Sequence, residues 1–204
     1  GDWVSISGMG ASRGLYSIAD LATSTGARRV AYPPNELDHG AAGYGHGGWA
    51  FDKAGETVRV YGDSKDDWFK AFNPRTGATT LIFKHGEMAY ASYHIARMSN
   101  PAQKGWFLVS TYPSPPETSW AENQIFMAEI APTTVGGVDV PLAQRPRIWR
   151  ICHTQNRCEA SSTWYFAQAF ASVDLAGENV YWGANWQGTV NLEVYRAKLP
   201  AGWA

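Results

Sequence analysis

Charge is scarce in this 204-residue chain and carries no bias: 17 Lys and Arg stand against 18 Asp and Glu, a formal net charge of −1, with no long run of either sign. Surfaces that bind nucleic acid or anionic lipid need clustered basic residues, so neither is an expected partner. No apolar stretch approaches the roughly 20 residues that span a bilayer, so no membrane span is expected. The opening GDWVSISGMG has neither the basic nor the apolar region of a signal peptide, so any export signal is expected to have been removed already. Helical periodicity is also missing, because no segment keeps apolar residues at i, i+3, i+4 and i+7 for three turns. The nearest, GLYSIADLATS at 14–24, suits a hairpin better. There is no G-x-S-x-G elbow, Walker loop, H-E-x-x-H or dinucleotide fingerprint, and the glycines of SISGMGASRG run from one strand-like segment into another.

Cysteine is nearly absent. Cys152 and Cys158 stand in CHTQNRC and are expected to form a disulfide; the alternatives are two free thiols or a metal site shared with His153, for which one pair is a poor signature. A bridged pair would favour an extracellular or periplasmic location, since cytosolic thiols stay reduced.

Ten Trp, 21 Gly and 11 Pro are present instead, a composition of short strands and tight turns. One phrase occurs twice, HGGWAFDKAGETVRVYG at 46–62 and QAFASVDLAGENVYWGA at 168–184. Each copy has a polar residue six positions before an Asp, then Ala-Gly-Glu and a strand-like run. Aligned on this phrase, the chain divides into four units at about 1–40, 41–88, 89–160 and 161–204. The second unit reads as four strands, GGWAFD, TVRVYGDS, DWFKAFNPRTG and TTLIFKHG, and the third as YHIARMS, GWFLVSTYP, NQIFMAEIA and RIWRICHTQ. PTTVGGVDVPLAQRP is a surface insertion within the third. Corresponding strands recur at roughly 50 to 70 residues, which suits propeller blades. The expected fold is all-β, a β-propeller segment of about four four-stranded blades, with a β-sandwich as the alternative. The first and last units each fall one strand short, which suggests the C-terminal half of a larger propeller, with a second chain or further segment completing the ring.

The FASVDLAGENVYWGANWQG stretch and the following VYRAKLP resemble the S-x-D-G-x-x-hydrophobic-x-F-x-S-N unit of TolB-like propellers, including the oligogalacturonate-lyase-type group, over residues of about 45–199. The turn differs from that unit in having Phe51 or Val173 in place of the usual Pro, and Ala in place of the turn Gly.

Three residues occupy the position six before the turn Asp or its equivalent: His46, His94 (counting to Asn100) and Gln168. Inner-strand positions of neighbouring blades converge near the axis, and such a cluster suits a divalent metal. The resemblance implies that His94 and Gln168 are metal ligands and His46 the base of a β-elimination on a uronate. Against this, Thr163, Phe166 and Gln168 stand where the group's final blade carries a Gln-x-x-His-x-His-Pro run. The other reading makes the histidines structural, satisfying backbone groups around a plugged channel. Trp120, Trp164 and Trp186 lie in polar loops, where indoles serve either as platforms for sugar rings or as lids over blade edges. Arg97, with Lys84 and Arg157, could recognise a carboxylate. The function expected is an exported recognition or scaffold module for carbohydrate or protein, with a metal-dependent polysaccharide lyase as the alternative.

Overall fold

The structure is a computed structural model that describes residues 3–6, 14–17, 29–30, 47–63, 66–88, 91–98, 100–112, 119–157, 168–186, 188 and 191–204. It is all-β, with four antiparallel sheets and one short hairpin; among the described residues the only helical turns are three short 3-10 segments. The first sheet joins β1 (Trp3–Ile6), β2 (Gly14–Ser17) and β3 (Arg29–Val30). The second is a four-stranded meander of β4 (Gly47–Phe51), β5 (Thr57–Asp63), β6 (Trp68–Phe72) and β7 (Thr79–Lys84). The third runs β8 (Ser92–Ala96), β9 (Trp106–Tyr112), β10 (Gln124–Glu129) and then β13 (Ile148–His153). Between β10 and β13 the expected surface insertion forms its own hairpin, β11 (Thr134–Val135) and β12 (Val138–Asp139), turning through Gly136 and Gly137 at positive φ. The fourth sheet has three strands, β14 (Ser172–Val173), β15 (Asn179–Ala184) and β16 (Glu193–Lys198). None of the four sheets closes on itself.

Period-2 alternation sorts the core. Every residue of β9 is buried, because the third sheet lies between two others. Phe107 and Val109 point to the second sheet, among Ala50, Val58, Val60, Phe69 and Phe83. Trp106 and Leu108 point the opposite way, to Val180 and Trp182 of the fourth sheet. A strand packed on both faces needs apolar side chains at successive positions, and WFLV supplies them. The far face of the fourth sheet is open, with Val194, Arg196 and Lys198 exposed on β16.

The duplicated phrase encodes a turn. The Gly55 N–H donates to Asp52 O (2.9 Å) and the Glu56 N–H to Asp52 Oδ1 (2.9 Å). The second copy repeats both bonds, from Gly177 to Asp174 O (3.0 Å) and from Glu178 to Asp174 Oδ1 (2.8 Å). Gly55 and Gly177 sit at φ 90° and 70°, where a Cβ would be strained. After the Glu the copies part. Asp52 N–H donates to Glu56 O, but Asp174 N–H donates to Asn179 O, one residue further along. The additional residue is held by a 2.6 Å bond from Asn179 Nδ2 to Asp174 Oδ2. A one-residue slip moves each side chain to the opposite face. Val58 and Val60 therefore face the sheet that follows theirs, whereas Val180 and Trp182, their counterparts in the sequence, face the sheet that precedes.

These turns also join the sheets. In the corresponding connection of the third sheet, Asn100 accepts from the Ala102 N–H (2.9 Å), and Gly105 takes φ 86°. The Gly105 N–H reaches Phe51 O of the second sheet (2.7 Å). On the other side Asn100 Nδ2 donates to Ala176 O (2.7 Å) and Gln103 Nε2 to Gly177 O (2.6 Å). Trp203 Nε1 donates to the same Gly177 O (3.1 Å), while its ring rests on Trp106 and Trp149. Buried Glu129 completes this end of the stack, with Lys53 Nζ at 2.8 Å and Arg147 Nε at 3.0 Å. Burial opposes its charge, but the hydrogen bonds from Arg147 and Lys53 outweigh burial and hold the carboxyl down to about 2.

Candidate functional site

Since the strands are antiparallel, the segments entering β8 and β14 and leaving β9, β13 and β15 all lie at the end of the stack away from these turns. His94 stands there on β8, opposite Ser110 of β9. Ser110 Oγ accepts the Ala171 N–H (3.1 Å) and so fixes the chain entering β14 against the third sheet. That places Gln168 Oε1 2.6 Å from His94 Nε2; with the amide oxygen as acceptor, the imidazole donates from Nε2. His94 also stacks with two rings, Tyr112 with centroids 5.2 Å apart and Phe170 at 4.1 Å. Phe170 takes φ 41°, a conformation costing a bulky residue about 1–3 kcal/mol, and remains 45% exposed. The backbone there is pinned by the Gly183 N–H donating to Ala169 O (3.0 Å).

A second set of rings lies further along the same rim. Trp182 stacks on Tyr195 at 5.8 Å, and Trp186 covers Tyr195 at 5.2 Å. Trp182 Nε1 donates to Thr154 O (3.3 Å), and Asn156 Nδ2 donates to Gly183 O (3.3 Å). Asn185 and Arg157 exchange two bonds of 2.9 Å, from the Arg157 N–H to Asn185 Oδ1 and from Asn185 Nδ2 to Arg157 O. The loop before Trp186 is thus tied to the loop after β13.

The remaining candidates separate. Trp120 Nε1 donates to Glu87 O (2.8 Å) and its ring leans on Phe126, so it ties the end of the second sheet to the third as a lid would. Lys84 Nζ lies 5.5 Å over the Trp68 ring. Arg97 is exposed and follows β8 on the side of the turns, three residues beyond His94, which stands at the middle of that strand. His46, Trp164 and Cys158 lie outside the described residues. Tyr112 and Phe170 were not singled out from the sequence. Phe170 stands two residues after Gln168, but nothing in AQAF signals a left-handed backbone at Phe.

Two expectations about ligands and covalent links need correction or limits. The disulfide is not formed: Cys152 is a free thiol. Its place in the β13 ladder opposite Ile125 packs it against the core between the third and fourth sheets, and burial pushes the thiol up to about 11. Of the cluster from which the lyase-like resemblance implies a divalent metal, only His94 and Gln168 are among the described residues. The His94–Gln168 distance is that of a hydrogen bond, and no group of three or more His, Cys, Asp or Glu among the described residues is placed to hold an ion.

Compared with known proteins, the chain matches no family model, no curated protein and no solved structure.

Proposed function

We propose that the four sheets are blades of a β-propeller and that the chain is a recognition module which binds carbohydrate at the His94 end of the stack. The blade reading is supported by the second, third and fourth sheets packing face to face, and by the meander of strands within each of the four sheets. The carbohydrate reading rests above all on Phe170, an exposed ring held in a costly backbone conformation with its inner face on His94. Strain kept at a surface position marks a functional role, and an aromatic face backed by two further rings is a rigid platform for a sugar ring. Buried Gln168 accepts from His94 through Oε1 and so fixes the ring that backs Phe170. The lyase alternative has no observation of its own to favour it.

Calorimetric titration of the purified chain with polygalacturonate and with neutral β-glucan tests this reading. Binding by the native chain, lost in Phe170→Ala with the near-ultraviolet circular dichroism unchanged, is the expected result. Native chain that binds neither polymer sinks it.

A further inference from the structure

The rim of the fourth sheet carries an exposed aromatic at each of its two ends, 45% exposed in both cases: Phe170 before β14 and Trp186 after β15. Phe170 leans inward on His94 of β8, and Trp186 leans outward on Tyr195 of β16. The strands beneath them, β14 and β16, lie two strand spacings apart, about 10 Å. The backbone between is one connected piece, because Gly183 binds Ala169 through its N–H and Asn156 through its carbonyl. Asn185, directly before Trp186, and Arg157 are bound to each other and tie this loop to the segment after β13.

We infer that the two rings are separate subsites for one extended oligosaccharide, one sugar ring stacked on Phe170 and a later ring of the same chain stacked on Trp186. A single pyranose cannot cover two faces this far apart, so the ligand class is a linear oligosaccharide of three or more units. Each ring has one face already held by a protein aromatic, Phe170 by His94 and Trp186 by Tyr195, so neither has to be ordered on binding. The two subsites sit on neighbouring loops of one sheet, which fixes their separation and selects for ligand length.

This inference rests on the carbohydrate reading, and chain length separates the two. Calorimetry is carried out with galacturonate oligomers and cello-oligosaccharides of one to five units against the native chain, Phe170→Ala and Trp186→Ala, with Phe170→Leu and Trp186→Phe as milder variants. The expected result is affinity that rises with length up to the tetramer. Phe170→Ala should weaken binding at every length. Trp186→Ala should reduce affinity for the tetramer by about tenfold, the scale of one lost aromatic contact, and should flatten the rise of affinity with length. Trp186→Phe should restore part of that loss. A flat length profile, or a Trp186→Ala variant equal to the native chain at every length, overturns the two-subsite inference alone. Failure of the native chain to bind any of these sugars overturns the carbohydrate reading and the inference with it.

Discussion

Replacing Glu129 by Gln keeps the shape of the side chain and removes its charge. In the folded chain this carboxyl is held near 2 against an ordinary value of 4.5. A depressed carboxyl stabilises the fold fully above its unfolded value, and that contribution is lost as pH falls through the folded one. The interval from 4.5 to about 2, at about 1.4 kcal/mol per pH unit, corresponds to about 3 kcal/mol. Solvent reduces this, because Glu129 is 8% exposed but its partners Lys53 and Arg147 are 59% and 71% exposed; about 2 kcal/mol is the expected remainder. Urea denaturation of native chain and Glu129→Gln at pH 7, 4.5, 3.5 and 2.5 measures it. The variant should be less stable by about 2 kcal/mol at pH 7. The difference should narrow below pH 4.5 and fall to about a quarter of its neutral-pH size at 2.5, where the unfolded carboxyl is protonated while the folded one, held near 2, is still mostly ionised. A difference that stays constant from pH 7 to 2.5 would refute the electrostatic account and assign the loss to packing.

The two glycines of the duplicated turn should differ in their tolerance of alanine. Gly55→Ala meets only the aliphatic part of Lys104, so it should cost about 1 kcal/mol from φ alone, whereas the Cβ of Gly177→Ala would enter the Gln103 amide, which donates to Gly177 O, and should cost more. Thermal melts of both variants, and of Gly177→Ala combined with Gln103→Ala, check this; equal losses at the two glycines would contradict the turn-to-turn contact. Cys152, half-buried with its thiol raised to about 11, should react slowly with Ellman's reagent at pH 8 in the folded chain and quickly in urea, a contrast best read in Cys158→Ser.

The strands were legible because short alternating runs are punctuated by turn residues with defined roles. Asn73, for example, ends β6 and accepts from the Arg75 and Thr76 N–H groups, with Gly77 at φ 76°, as N-x-x-x-G would suggest. The one-residue slip in the fourth sheet was not legible. Both copies of the phrase have the same length, and the additional residue of the second turn shows only in the structure, in the bonds between Asp174 and Asn179. Equivalence between units put His94 and Gln168 at matching positions, and they are hydrogen-bonded. It could not supply Tyr112 and Phe170, which join them through the path of the chain entering β14. Arg97 was grouped with the loop aromatics because composition does not tell one end of a strand from the other. The expected disulfide came from spacing alone, and spacing is blind to Cys152 being held in a strand ladder.

The clasp of turns by Gly105, Asn100 and Gln103 bonds the stack along one border. The third and fourth sheets are bonded along the opposite border too, by Ser110 to Ala171, Asn156 to Gly183 and the Asn185–Arg157 pair. Bonds at both borders leave this pair of sheets no loose edge from which to part, so the two should open as a unit. Amide exchange reads this directly: the Gly105 and Ala171 N–H groups, at opposite borders, should exchange at similar rates although both lie in connecting segments.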